Sequence, residues 1–106
     1  MKPILVLSTV DSADLGRKIS IDLVETGLAA CVNVVPGIRS IYRWKGKVCD
    51  EAELLLIVKT TLEAFEEVRE RIRQLHTYEV PEILAIPVTA GDSDYLAWLD
   101  EQIRQG

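Results

Sequence analysis

Residues 38–59 read IRSIYRWKGKVCDEAELLLIVK, and this stretch decides the fold. β-Branched and aromatic residues lead into a turn around Gly46, and the run 54–58 beyond it holds only leucine, isoleucine and valine. Such a pattern predicts two antiparallel strands joined as a hairpin. Each strand would be about ten residues long, against the usual five or six. A hairpin of that length has edges that need a partner.

Three further segments supply the rest of a sheet. Residues 4–7 form a short apolar run, and residues 31–35 are rich in β-branched side chains. The pair Pro36-Gly37 should kink the second of these strands, which then continues into the hairpin. Residues 83–88 read as a last strand, in which Pro87 favours an edge position.

Three helices are predicted from apolar residues that recur every three or four positions. The residues expected to cap them are, in chain order, Asp11 or Ser12, Thr61 and Asp92. Gly27 should end the first helix, and the second should end near His76. The order β-α-β-β-α-β-α predicts an α+β, ferredoxin-like domain over residues 1–106, with a long β2–β3 hairpin and a short C-terminal helix.

The predicted strands are apolar on both faces. Residues 4–7, 54–58 and 83–86 are hydrophobic at odd and even positions alike, so both sides of the sheet should be buried. Two helices can cover only one side, and we therefore expect the chain to associate with copies of itself. The alternative is a monomer in which the last helix lies across the uncovered side.

Composition narrows the classes of function. The 106 residues are 48% hydrophobic and 27% charged, with a net charge of −5, so neither nucleic acids nor anionic membranes are expected as partners. No segment approaches the roughly 20 apolar residues of a membrane span. Cys31 and Cys49 are far apart, and no signal peptide is apparent, so a cytoplasmic protein is expected.

Catalytic motifs are also missing from the sequence. There is one histidine, and no phosphate-binding loop, dinucleotide fingerprint or zinc-finger spacing occurs. The sequence therefore predicts a protein that is not an enzyme.

Several segments together resemble the CutA family of divalent-cation tolerance proteins. They are LAACVN at 28–33, PGIRSIYRWKGK at 36–47, KTT at 59–61, YEVPEI at 78–83 and DYLAW at 94–98. The resemblance implies a homotrimer of ferredoxin-like subunits, shaped like the trimeric PII signalling proteins. It also implies a role in tolerance of copper and other divalent cations, without a defined enzymatic activity.

The resemblance singles out His76 as the metal ligand. His76-Thr77-Tyr78 occupies the position of a His-Pro-Tyr segment in the family. Family members with proposed copper ligation also carry a cysteine and a second histidine, where this chain has Ser8 and Leu75. One strong ligand is too few for a tight site within one subunit, so binding of copper or another divalent cation would be weak. The alternative is that His76 only caps the second helix.

An inter-subunit cleft is the second candidate site. Its expected residues are Cys31, Tyr42, Trp44, Lys59, Tyr78, Glu82 and Trp98. Aromatic rings with a few charges suit a ligand pocket, but they suit the core of an interface equally well. Cys31 has the further alternative of being a small buried hydrophobic residue. A PII-like signalling or scaffolding protein, with a small molecule or a protein partner bound in this cleft, is the alternative function.

Overall fold

Four strands and three α-helices follow one another along the chain in the predicted order β-α-β-β-α-β-α. The computed structural model describes residues 1–103. The elements are β1 (Pro3–Val10), α1 (Ala13–Glu25), β2 (Cys31–Trp44), β3 (Lys47–Thr61), α2 (Phe65–Leu75), β4 (Leu84–Pro87) and α3 (Ser93–Gln102), with a 3-10 turn (Leu62–Ala64) leading into α2.

The sheet has the strand order β2-β3-β1-β4, and all pairs are antiparallel. This arrangement confirms the predicted α+β, ferredoxin-like fold. β4 lies at an edge, as Pro87 predicted, because proline has no N–H for a second neighbour. β1 extends beyond the predicted apolar run to Val10, since Ser8 and Thr9 continue its pairing with β3.

Capping agrees with the sequence at two of the three helices. Ser12, rather than Asp11, caps α1 by accepting from the Leu15 N–H at 3.1 Å, and Asp92 caps α3 by accepting from the Tyr95 N–H at 3.1 Å. Thr61 lies where predicted, but its side chain makes no capping hydrogen bond. The 3-10 turn that follows Thr61 starts the helical segment instead.

One face of the sheet packs against α1 and α2, and we call it the helix-covered face. Val6 in β1 and Leu56 and Val58 in β3 lie on it, fully shielded from solvent. They pack into one core with helix residues that include Ile19 and Ile72. Alternate strand residues form this core because successive side chains of a strand point to opposite faces.

The opposite face, which we call the open face, has no such cover. Leu84 and Ile86 of β4 are 57% and 44% exposed there, across the strand pair from Leu7 and Leu5. α3 does not fill this gap, because its buried residue Leu99 packs beside Ala30 and Ala64 instead. Within the described chain, the last helix therefore leaves the apolar surface of β4 exposed.

A β-bulge divides β2 into two parts. Val35 pairs with Leu55 and Ile38 pairs with Glu53, so two residues of β2, Pro36 and Gly37, oppose a single residue of β3. Gly37 adopts a positive φ of 78°, which glycine tolerates best. The kink predicted at this pair is thus confirmed. Before the bulge, the odd-numbered residues of β2 lie on the open face. Beyond the bulge, the even-numbered residues lie there.

Lys45 and Gly46 form the tip of the hairpin. Both have positive φ, 49° and 79°, as a two-residue hairpin turn of the mirror-image type requires. Tyr42 and Trp44 pair with Cys49 and Lys47 just before the tip.

Candidate functional site

A cleft lies between the hairpin and the loop that follows α2, on the side of the open face. Its volume is about 610 Å³. The lining residues come from β1, the hairpin and the loop at 77–82, and they are Thr9, Ser40, Ile41, Tyr42, Trp44, Glu53, Thr77, Tyr78, Glu79, Val80 and Glu82. The bulge creates this surface, because it turns Ser40, Tyr42 and Trp44 to the same side as Glu53.

Glu53 is the most buried ionisable group of the cleft. Only 7% of the residue is exposed, and its Oε2 accepts a hydrogen bond from the Tyr78 hydroxyl at 2.5 Å. A short bond of this kind is typical of a hydroxyl that donates to a carboxylate. Oε1 receives no hydrogen bond from the described residues, and it is not among their buried unpartnered atoms. It is therefore accessible from the cleft.

The cleft is negatively charged. Glu53, Glu79 and Glu82 line it, and its described lining contains no lysine, arginine or histidine. The pKa of Tyr78 is raised well above that of a free tyrosine, first because burial disfavours the phenolate and then because of the bonded Glu53 carboxylate. The pKa of Tyr42 is raised in the same direction, by burial and then by neighbours that include Cys49 and the nearby glutamates.

His76 lies beside the cleft and is held in one orientation. Its Nδ1 accepts from the Tyr78 N–H at 3.1 Å, so the ring hydrogen is on Nε2, which donates to the Thr9 carbonyl at 2.7 Å. The ring also contacts the Tyr78 ring, with centroids 4.5 Å apart. Both nitrogens are therefore engaged, and the ring must release one of these bonds to bind a metal. The role of His76 as a ligand stays a prediction.

His76 also follows α2 directly, as its alternative role requires. Its backbone N–H donates to the Ile72 carbonyl at 2.8 Å and so closes the last turn. The capping bond is made by the backbone, while the imidazole joins the loop to β1. The imidazole thus fixes the position of Tyr78 in the cleft.

The positions that correspond to further family ligands offer little to a metal. Ser8 is fully buried on the helix-covered face, and its Oγ is the one buried side-chain oxygen or nitrogen in residues 1–103 without a hydrogen-bond partner. Leu75 is apolar and half-buried. Within the described part of the chain, no three histidine, cysteine, aspartate or glutamate side chains come together as a metal site.

The residues predicted for one cleft fall into two groups in the chain. Tyr42, Trp44, Tyr78 and Glu82 line the cleft just described, whereas Cys31, Lys59 and Trp98 lie elsewhere. Lys59 is six residues from Glu53 along β3, which corresponds to about 20 Å. That the two groups meet across a subunit boundary stays a prediction.

The second group forms a small aromatic cluster. Cys31 and Lys59 face each other across β2 and β3. The Lys59 Nζ lies 5.8 Å from the centroid of the Tyr95 ring, which in turn lies 5.5 Å from that of Trp98. Lys59 therefore stands over an aromatic ring, and among residues 1–103 it forms no ion pair with Glu82.

Sequence reasoning missed five polar residues of the cleft, namely Thr9, Ser40, Glu53, Thr77 and Glu79. Glu53 carried a signal, since it directly precedes the run 54–58 and so continues a strand that is otherwise buried. The signal could not be read without the register, which places Glu53 opposite Ile38 after the bulge.

No helix among the described residues has the length and apolar character needed to cross a membrane.

Comparison with known proteins gives one consistent result. Residues 4–102 match the model of the family described as CutA1 divalent ion tolerance protein. The chain is 55% identical over 97 residues to the divalent-cation tolerance protein CutA of Thermus thermophilus, which covers 92% of this chain and 94% of the relative. It is 45% identical over 101 residues to the chloroplastic protein CutA of Arabidopsis thaliana, covering 95% of this chain and 56% of that longer protein.

Among solved structures, CutA1 from Oryza sativa superimposes with a TM-score of 0.97 at 40% identity, covering 100% of this chain and 97% of the other.

Proposed function

The chain belongs to the CutA1 divalent ion tolerance family, and from this premise we propose that it acts as a homotrimer in tolerance of, or response to, divalent cations. In this proposal it binds copper or a similar ion weakly, is not an enzyme and works in the cytoplasm. Its two free cysteines, Cys31 and Cys49, are compatible with a reducing compartment.

The observation that carries the metal proposal is the set of carboxylates in the cleft beside His76. Glu53, Glu79 and Glu82 supply oxygen ligands, and His76 could supply the nitrogen that copper prefers. These groups do not form a complete site within the described chain. Binding would therefore be weak, or a neighbouring subunit would add a ligand.

The open face supports self-association. Leu84 and Ile86 form part of an apolar surface that a copy of the chain could bury. The surface favours association in general, and the number three comes from the family. Sedimentation of dilute protein tests this part of the proposal: a species with three times the mass of the chain is expected, and a stable monomer would overturn it.

Titration with copper(II) tests the metal part. We expect wild-type protein to bind copper with a measurable heat, and His76→Ala to bind at least tenfold more weakly because the imidazole ligand is lost. Cys49→Ser is the control, since a half-buried thiol can capture copper adventitiously. Equal affinity of the wild type and His76→Ala would remove His76 from the site, and the absence of saturable binding would overturn the metal role.

The volume of the cleft favours one second function, that of a PII-like protein which binds a small molecule or a protein partner there. The lining carboxylates would repel nucleotides and other anionic metabolites. A thermal-shift screen that includes anionic, neutral and cationic compounds tests this function. We expect the anions to leave the melting temperature unchanged, and a lack of stabilisation by every class would overturn a small-molecule role.

A further inference from the structure

We propose that Asn33 determines how copies of this chain dock on one another. Its side-chain amide hydrogen-bonds to a backbone group of a neighbouring copy and so fixes the position of that copy on the open face. The inference rests on the self-association part of the proposed function, and it requires neither a metal ion nor a ligand in the cleft.

Asn33 belongs to a row of side chains that crosses the open face from one edge of the sheet to the other. Its members pair in turn across β2, β3, β1 and β4, and they are Asn33, Ile57, Leu7 and Leu84. Residues directly opposite each other on neighbouring strands point to the same face. The row therefore combines three aliphatic side chains with one amide.

The amide of Asn33 has no partner within its own chain. The residue is exposed, and its side chain forms no hydrogen bond with any residue of the described range 1–103. An asparagine amide has two N–H donors and an oxygen that accepts, and water satisfies them while the face is exposed. A copy that covers the face removes this water, and a buried amide without partners is destabilising. The covering copy must therefore supply hydrogen-bond partners.

A copy that covers the open face reaches Asn33. Neighbouring strands lie about 4.8 Å apart, so the row is only about 14 Å wide. A stable interface buries about 800 Å² on each partner, an area roughly 28 Å across. Val35, the next residue of β2 on the same face, is also apolar and 37% exposed. A copy that buries both Leu84 and Val35 therefore covers Asn33 as well.

The copy has suitable partners at the edges of its own sheet. β2 and β4 are the outer strands, and the outer side of an edge strand presents backbone N–H and C=O groups that its own sheet does not pair. A peptide group offers one donor and one acceptor, which match the donor and acceptor atoms of an asparagine amide.

A comparison with Lys59 shows why Asn33 acts on the docking position. Lys59 is the charged residue in the next row, and its Nζ lies 5.8 Å from the centroid of the Tyr95 ring of the same chain. Its long side chain can also reach water at the rim of an interface. Asn33 is short and has no partner of its own. Aliphatic contacts tolerate a sliding copy because they are non-directional, whereas a buried amide is satisfied in one position only.

Two variants of nearly the same shape test the proposal on the full chain. Asn33→Thr keeps a donor and an acceptor, and Asn33→Val has a methyl group in place of that hydroxyl. Both valine and threonine favour strands, so the single chain should fold, which circular dichroism checks. Gln74→Val is the control, because it removes an amide at an exposed position of α2, which packs on the other face of the sheet.

Subunit exchange between unlabelled and isotope-labelled copies, followed by native mass spectrometry, measures how firmly the copies hold. We expect Asn33→Val to exchange at least about tenfold faster than wild type, because each boundary then contains an unpaired polar group. Asn33→Thr should lie between the two, and Gln74→Val should match wild type. Loss of a fixed docking position also predicts additional oligomers in the spectrum of Asn33→Val.

The sign of the difference between the two Asn33 variants decides. An ordinary surface position would let the more apolar Asn33→Val associate at least as firmly as Asn33→Thr. Exchange of Asn33→Val that is no faster than that of Asn33→Thr would overturn the inference and leave self-association intact, as would equal acceleration in Gln74→Val. If Asn33→Val does not fold, Asn33→Thr decides, and exchange at the wild-type rate counts against the inference. A wild type that is a stable monomer would overturn self-association and this inference together.

Discussion

The apolar strand residues on the two faces of the sheet are of the same kinds and yet differ in burial. On the helix-covered face, Val6 and Val58 are fully shielded, while on the open face Leu84 and Ile86 remain largely accessible. Strand hydrophobicity alone therefore does not determine what a single chain buries; the position of the helices does. Exposed apolar residues on the open face are typical of a surface that is buried against another molecule.

The largest effect is expected from a cavity on the helix-covered face. Leu56→Ala should lower the free energy of unfolding by about 2–5 kcal/mol, because a fully buried leucine loses its contacts and leaves a void. Urea denaturation measures this loss. Ile21→Ala, on the exposed side of α1, is the control and should change the free energy by less than about 1 kcal/mol. Similar losses in both variants would contradict the assignment of this face as the core.

A charge on the open face should act on association rather than on folding. Leu84→Glu removes an apolar contact that we expect to be worth about 1.5–3 kcal/mol, so subunit association should weaken roughly ten- to hundredfold. Sedimentation velocity over a range of concentrations measures the change. Ala85→Glu, the next residue on the opposite face, should leave association unaltered. Association that resists Leu84→Glu would show that the open face is not the interface.

A smaller effect is expected where α1 and α2 are joined over the core. The Arg71 Nε and Nη2 donate to the two oxygens of Asp22 at 2.6 and 2.7 Å. These hydrogen bonds, together with the charge of the guanidinium, lower the pKa of Asp22, against the opposing effect of burial. Because the pair is partly exposed, Asp22→Asn should lower the free energy of unfolding by only about 0.5–1 kcal/mol.

The pH dependence of this pair has a definite sign. A lowered pKa stabilises the folded state above the unfolded pKa of about 3.9, and this contribution is lost as the pH falls below that value. The difference between wild type and Asp22→Asn should thus be constant near neutral pH and shrink below about pH 4. Chemical denaturation at several pH values measures it, with Glu25→Gln as the exposed control. A difference that grows on acidification would contradict this account.

Much of the fold could be predicted because its signals are local. Ser12 and Asp92 cap the helices that directly follow them, and Pro87 marks its own strand as an edge strand. These three predictions are confirmed. Thr61 shows the limit of such signals, since a 3-10 turn replaced the capping bond.

The candidate site was harder to predict because it depends on register. Glu53 and Tyr78 are 25 residues apart in the chain and meet only after the loop at 77–82 folds back on the hairpin. The predicted cleft also combined Tyr42 with Lys59, which lie toward opposite ends of the hairpin. Residue type identified useful side chains, but it could not say which of them share a surface.

The bulge at Pro36-Gly37 has a consequence for how this chain can vary. If Pro36 and Gly37 both paired regularly, the rest of β2 would shift by one position against β3, and Ile41 and Arg43 would replace Tyr42 and Trp44 on the side of Glu53. Removing one of the two residues, by contrast, would leave the other opposite Leu54 and Ile38 still opposite Glu53, so the aromatic wall would stay in place. The two-against-one arrangement thus absorbs a change in chain length and leaves the lining of the cleft as it is.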